Sequence, residues 1–526
     1  MHGALLLRAL LALSALDALE PSALTVDDPA IELRPTAVRY VETRWVETVI
    51  RGKPWAPHPR IATVASGTRL AVRGEVSSRD SKGCDGEPWY AVHPFGYVCS
   101  QHVRTTTTPP SSAAALPVRE GERLPFRYAM VRADGTPGFA DAEVAASGLR
   151  TRTLEKGMSV AIARSVAIAG LDYVQTLAGE LIPRESVGYL GQGSAWTGVV
   201  LEGDDLAATT APRPLFAWVG PKGATVWSEP RSKGATKVER LDRRTRLDLV
   251  EALPAADAPA GRPEWYRLAP APDGTPRWVR ATELNEVFAI PPPRGVLPRA
   301  QATGSPPRGD DRWIDVDTGE QVLVAYRGAT PVFATLTASG RGHPTPRGDY
   351  PIWAKVAAID MNNQAYEDGA YEVQGVPWVL LFQGHNALHG AYWHDQFGQR
   401  KSHGCVNLAP HDARWVFEWV GPHLAEGWTG YLPSALDHSI VVHVRDSSRT
   451  EGDQFTQDRR IGPPDPTEEA DKLAEAEQRR ALAAGPTAGD ADNPAHEGFD
   501  GAHAPGLAVE PGAIAPGRSD APAGMP

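Results

Sequence analysis

The stretch Ser402-His403-Gly404-Cys405-Val406-Asn407 sets a single cysteine among histidine, glycine and asparagine. A second His-Gly pair, His389-Gly390, precedes it. Cys405 is one of three cysteines in 526 residues, and the other two, Cys84 and Cys99, lie together far upstream. A lone cysteine in such a setting is a candidate nucleophile. The attacking species is the thiolate, and a free thiol has a pKa of about 8.5, so a base or a positive environment is needed. His389 is the first candidate base, because it follows a strand-like run on a segment that can face the cysteine loop. His403 is the second, because in an extended loop residues two apart share a face. Gly404 lacks a Cβ and lets a substrate approach the backbone closely. The amides of Gly404 and Cys405 then make a prospective oxyanion hole. Ser402 and Asn407 are suited to bracing the loop through hydrogen bonds.

Working outward from this loop, the surrounding residues read as a β-rich domain over 312–445. Arg312–Asp317 and Gln321–Tyr326 flank a Thr318-Gly319 turn, and Pro331–Thr337 follows as the next strand. Trp378–Phe382 is a continuous apolar run of the kind found in a central strand. Pro410 suits a first helical turn. Ala413, Val416, Phe417 and Val420 then fall on one helical face, and Gly421-Pro422 ends the helix. Ser439–Val444 closes the domain as a strand.

Leu388-His389-Gly390 and the Ser402–Asn407 hexapeptide together resemble the signature of the L,D-transpeptidase catalytic domain family (YkuD-like). Pro344-Thr345-Pro346-Arg347-Gly348 is similar to that family's Thr-Pro-x-Gly turn. The resemblance implies Cys405 as nucleophile and His389 as proton donor and acceptor. It also implies the backbone of His403, Gly404 and Cys405 as the anion-binding element. Many members carry Arg where this chain has Asn407, so the resemblance is to an Asn-bearing subgroup. Proximity to the motif adds Gly390, Ser402, Asn407, Arg400, Tyr392 and Trp393 as candidate substrate contacts. Arg347 and Lys401 are further candidate cations for a substrate carboxylate, by proximity to the motif. The implied reaction is acyl transfer from a peptidoglycan tetrapeptide stem. Terminal D-Ala leaves, a thioester forms on Cys405, and an amine resolves it into a 3→3 cross-link. Hydrolysis of the same thioester, an L,D-carboxypeptidase activity, is the alternative, and a non-catalytic cell-wall-binding protein is another. No cofactor is expected. A zinc site among His385, His389, His394, His403 and His411 is not expected either, because no Glu stands between His385 and His389 as a metalloprotease helix requires.

Three upstream segments echo one another: Trp89–Val92 then Phe95–Val98, Asp172–Thr176 then Gly179–Pro183, and Glu264–Leu268 then Gly274–Val279. Each pairs a short aromatic strand with a turn and a second strand. They resemble bacterial SH3-like modules, expected at 36–106, 120–190 and 214–288. A Pro/Ala/Gly-rich linker is expected at 291–308. Composition predicts a disordered tail over 447–526, because it has scarcely any large apolar residue with which to offset ordering entropy. The expected fold class is thus mainly β and multidomain: tandem small SH3-like β-barrels, a β-rich catalytic domain with short helices, and a disordered tail.

Net charge of −11 and a pI near 5.8 argue against nucleic acid as a partner. Residues 1–23 are apolar and Leu/Ala-rich and read as a signal peptide. No other run is long and apolar enough to span a bilayer. Export to the periplasm or cell envelope fits peptidoglycan stem peptides as the partner. It also leaves Cys84 and Cys99 either as a disulfide or as two buried thiols.

Overall fold

The computed structural model describes residues 31–202, 214–293 and 312–465, apart from 78, 81, 231–233, 255–262, 342–343, 363–370, 434–435, 437–438, 450 and 458–460. The signal-peptide expectation, most of the linker and the tail beyond 465 lie outside the described residues. Residues 27–110 cluster as one compact unit and 111–465 as a second.

In the first unit every described strand pairing is antiparallel. The strands Val103–Thr106, Tyr40–Thr43, Arg69–Val76, Trp89–Val92, Tyr97–Cys99, Glu47–Arg51 and Arg60–Ala65 are neighbours in that order. The expected aromatic hairpin is there, with Trp89 opposite Cys99. Cys84 and Cys99 form a disulfide across a Cα separation of 5.5 Å. The corresponding hairpins of the second unit also form, Val174 opposite Ile182 and Trp265 opposite Arg280. No sheet among the described residues closes into a barrel, which is where the structure departs from the SH3-like expectation. The modules expected at 120–190 and 214–288 are not separate bodies but part of the same compact unit as the domain that follows.

That domain contains two sheets. Strands β1 (Arg312–Asp317), β2 (Val322–Arg327) and β3 (Thr330–Leu336) form a meander. A short upstream strand, Val199–Val200, extends it at β3. On the other side β1 pairs in parallel with the closing strand and that strand pairs with β4 (Gly348–Pro351). The second sheet holds β5 (Ala354–Asn362), β6 (Glu372–Gln383), β7 (Asn386–Gly390) and β8 (Val406–Leu408). Strand β9 (Trp428–Tyr431) pairs with the outer side of β5, and β10 (Val441–Arg445) is the closing strand of the first sheet. The apolar run from Trp378 is central, as expected, but its strand is longer and interrupted. Trp378 has φ 57° and drops out of the ladder between Pro377 and Val379.

Helix α1 (Pro410–Val420) starts at Pro410 and ends at Gly421, where the sequence placed its limits. Its apolar face, Ala413, Val416, Phe417 and Val420, is buried. It lies against β6 and β7, while Trp415 stacks on Phe333 of β3 at 4.1 Å, so one helix ties the two sheets together. Lys355 of β5 donates to the Phe417 carbonyl at 2.6 Å, satisfying one of the acceptors that a helix end leaves open. Burial pushes its ammonium down to about 7.

The domain's ends are pinned by Arg445, whose guanidinium meets Asp315 at 3.0 Å and Asp317 at 2.8 Å, all three buried. Removing one partner of such a cluster strands the others in a poor solvent. Arg445→Ala is therefore expected to destabilise the domain by about 3 kcal/mol, read as a lower midpoint in chemical denaturation. An unchanged midpoint would show that the carboxylates find other partners.

The chain remains ordered for some way past Ser447. Ser447 N–H donates to Asp317 at 3.0 Å, Phe455 stacks on His443 at 4.7 Å, and Gly384 N–H donates to the Gly462 carbonyl at 2.9 Å. Composition alone did not foresee this, because these contacts are mostly polar and to backbone rather than through a large apolar face.

Candidate active site

Strands β7 and β8 run parallel, with Leu388 beside Val406, His389 beside Asn407 and Gly390 beside Leu408. One step back in that register sets Cys405 beside Ala387. Ala387 and His389 are two residues apart on β7 and share a face, and Cys405 immediately precedes β8. Cys405 Sγ is directed at the His385 carbonyl, 3.7 Å away, and the Ala387 backbone hydrogen-bonds to the sulfur.

Glycines flank the pair. A Cβ at Gly390 would press on the Pro377 and Trp378 side chains of β6 at 3.2 Å. Gly404, with φ 145°, turns the chain into the cysteine in a conformation that other residues rarely adopt. Ser402 Oγ braces this turn by donating to the Cys405 carbonyl and accepting from Gly404 N–H at 3.2 Å. Thr345 Oγ1 holds the loop from the other side, donating to the Gly404 carbonyl at 2.8 Å and accepting from Gly340 N–H at 3.0 Å.

Cys405 keeps part of its surface open to solvent. Burial among protein atoms nonetheless pushes the thiol up to about 11, with the Ala387 hydrogen bond pulling the other way. Burial pushes His389 down to about 4, opposed by the Gly390 carbonyl. At neutral pH the resting site is therefore a thiol beside a neutral imidazole. Both shifts disfavour a preformed thiolate–imidazolium pair in the resting site. His389 Nδ1 faces the Gly390 carbonyl at 3.4 Å. A carbonyl only accepts, so this contact favours the Nδ1–H tautomer and leaves the lone pair on Nε2. One consequence is testable: alkylation of Cys405 by iodoacetamide should accelerate with pH up to about 11. A plateau already reached at pH 7 would rule out the burial effect.

The other expected residues divide. His403 is exposed and stacks flat on Tyr371 at 4.9 Å, whereas His389 is buried. Trp393 stays at the site, stacked on His389 at 5.8 Å. Asn407 is buried, with Nδ2 2.9 Å from His394 Nε2 and with Oδ1 lacking a partner among the described residues. Three expectations change. Tyr392 is buried, stacked on Tyr128 at 3.6 Å, with its hydroxyl donated to the Gln374 carbonyl at 2.7 Å; it packs the wall and does not face a substrate. Arg400 is drawn away to Asp446, 3.0 Å distant, and to the Thr318 carbonyl at 3.1 Å. Gly390 serves close packing rather than substrate contact. Among the other cations, Arg347 donates to the Asp453 carbonyl. Lys401 lies near enough to His394 to help depress it to about 4, after burial. Among the described residues no three potential ligand side chains gather as a metal site.

A feature that the sequence did not disclose is the anchoring of the loop after β7. Asp395 accepts from Arg243 at 2.7 Å, from Arg244 at 2.8 Å and from Ser194. Asn285 donates to the Gly398 carbonyl at 3.1 Å. Tyr128 adds its hydroxyl to the Gly375 carbonyl at 2.8 Å. Residues from both upstream modules of the second unit thus hold the segment that carries Trp393 and His394. These partners are more than a hundred residues away in sequence, and no local pattern signals them.

Residues 311–442 match the model of the YkuD family, the L,D-transpeptidase catalytic domain. No curated protein matches the chain. Among solved structures the domain is similar to a mutant Enterococcus faecium L,D-transpeptidase, at 23% identity and TM-score 0.21, covering 26% of this chain and 51% of that one. The separate catalytic domain of the E. faecium enzyme is matched over 97% of its length, with 26% of this chain, 23% identity and TM-score 0.21. L,D-transpeptidase 3 from Mycobacterium tuberculosis matches at 16% identity and TM-score 0.21, over 26% of this chain and 61% of that one. The chain spans about half the length of the first of these structures.

Proposed function

We propose that the chain is an exported L,D-transpeptidase that acts on peptidoglycan stem peptides, with Cys405 as nucleophile and His389 as the proton carrier. The observation that supports this most directly is the parallel pairing of β7 with β8, which sets His389 beside Asn407, two residues after Cys405. The thiol gives its proton to His389 Nε2 as sulfur bonds to the carbonyl carbon of the penultimate stem residue. The C–N bond to D-Ala then breaks, and the departing amine takes the proton back from His389. An amine on a second stem attacks the thioester, forms the new amide and returns the thiol. With the Gly404 N–H turned to Ser402, the amides of His403 and Cys405 are the donors best suited to the oxyanion, and Lys401 suits the stem carboxylate. No cofactor takes part in this scheme.

Export is supported by the Cys84–Cys99 disulfide, a bond favoured in oxidising compartments. No helix among the described residues is long and apolar enough to cross a membrane. The upstream β-rich segments would hold the enzyme on its polymer and raise its effective concentration there.

Because the sulfur is partly open to solvent, water competes with the acceptor amine, and the deciding measurement covers both outcomes. Purified tetrapeptide stems are incubated with the protein and followed by mass spectrometry. A thioester adduct on Cys405 with release of D-Ala supports the mechanism; dimer masses indicate transfer and tripeptide masses hydrolysis. Unaltered stems and no adduct would favour a non-catalytic wall-binding role.

A further inference from the structure

Strand β6 begins among residues more than two hundred positions upstream. Arg152 donates to both oxygens of Glu372, its first residue, at 2.6 and 3.0 Å. The same guanidinium donates to both oxygens of Glu180, at 2.7 and 2.8 Å. One planar group thus locks two carboxylates, a geometry that an ammonium cannot copy. Burial works to raise the Glu372 carboxyl, but hydrogen bonds from Arg152 and Gln374 outweigh it and hold it below its ordinary value. The next three residues are fixed as well. Val373 pairs in parallel with Ser159 of the upstream strand Ser159–Ile168. The Gln374 carbonyl accepts the Tyr392 hydroxyl at 2.7 Å, and the Gly375 carbonyl accepts that of Tyr128 at 2.8 Å.

Tyr371 directly precedes this clamp. Its ring lies flat on that of His403, with 4.9 Å between centroids and 7° between planes. Aromatic pairs of this kind restrain both side chains. In the cysteine loop the neighbours of His403 are held by hydrogen bonds. Ser402 N–H donates to the Ser339 carbonyl at 3.1 Å, and Gly404 N–H donates to Ser402 Oγ at 3.2 Å. His403 itself is exposed and is held through its ring. A ring and its own amide share one Cα, so a ring that is pinned steadies the N–H beside it. Tyr371 can pin the ring only if its own backbone is fixed, and the bond from Arg152 to Glu372 fixes it at the adjoining residue.

We propose that Arg152 is a positioning residue for acyl transfer: it fixes the start of β6 so that Tyr371 covers the His403 ring and steadies the His403 amide that serves the oxyanion. The proposal rests on the acyl-transfer reading of Cys405. Its test uses the full chain and two rates at the same sulfur. Acylation by a tetrapeptide stem, followed as single-turnover thioester formation, needs the oxyanion donors. Alkylation by iodoacetamide expels iodide and forms no oxyanion. Arg152→Met and Tyr371→Leu should each slow acylation about tenfold, part of the roughly 10²- to 10³-fold that loss of a whole oxyanion donor costs. Both should leave alkylation unchanged. Tyr371→Phe, which keeps the ring, should restore acylation. Histidine labelled with ¹³C at Cε1 reads the stack itself, and loss of a signal in His403→Gln assigns it. That signal should move towards the position of an unstacked ring in Arg152→Met and Tyr371→Leu, and stay in place in Tyr371→Phe. Unchanged acylation in Arg152→Met, equal slowing of both reactions, or an unmoved His403 signal overturns the proposal. No thioester in the unaltered chain would instead strike the acyl-transfer reading, and this proposal with it. Should Arg152→Met fail to fold, Arg152→Lys decides by the same two rates, since it keeps the charge and loses the paired hydrogen bonds.

Discussion

Replacing Cys405 by alanine should abolish thioester formation and lower stem turnover by on the order of 10⁴-fold or more. The site offers no second nucleophile in the same place. Ser402, the nearest hydroxyl along the chain, is buried and committed to the Cys405 carbonyl and the Gly404 amide. The fold should tolerate the change, since the Cys405 sulfur contributes only a long contact with the His385 carbonyl and a hydrogen bond from the Ala387 backbone. Intact protein mass after incubation with stems is the measurement. A persistent adduct in the alanine variant would move the nucleophile elsewhere.

His389→Gln should lower kcat by about 10²- to 10⁴-fold, the usual worth of a positioned acid–base group. The pH profile carries the sharper signal. With the imidazole at about 4 and the thiol at about 11, kcat/KM of the unaltered enzyme should fall on the acid side near pH 4 and stay high well into the alkaline range. Below its pKa the ring is already protonated and cannot accept; glutamine should erase that acid limb. The same burial has a stability consequence. An unfolded histidine titrates near 6.5, so between pH 6.5 and about 4 the unfolded chain binds a proton that the folded chain refuses. Stability is therefore fully present above pH 6.5 and declines as pH falls through this window, by about 3 kcal/mol for His389. A retained acid limb in His389→Gln would transfer the proton-carrying role to another group.

Local patterns made the catalytic segment legible. The helix at 410–420 was readable because its spacing, Pro410 and Gly421 all agree. The cysteine loop was readable because the chemistry needs particular residue types in a short span. The central strand was only half readable: apolarity found it, but the positive φ of Trp378 within it is something no propensity encodes. Tyr392 and Arg400 misled because nearness in sequence stood in for direction in space. Tyr392 turns inward to Tyr128 and Arg400 turns back to Asp446. The upstream hairpins could be recognised individually, whereas their merging with the domain after them depends on pairs of residues far apart in sequence, such as Arg244 with Asp395.

The Asp395 anchorage has a further meaning for how this protein can be cut and recombined. A fragment starting at Arg312 would retain sulfur and imidazole but shed Ser194, Arg243, Arg244 and Asn285 together. Its loop beyond Gly390 would then wander, and the wall that Trp393 builds beside the imidazole with it. The leader segments are thus part of the tool rather than its handle, and swapping them for foreign ones would blunt the edge.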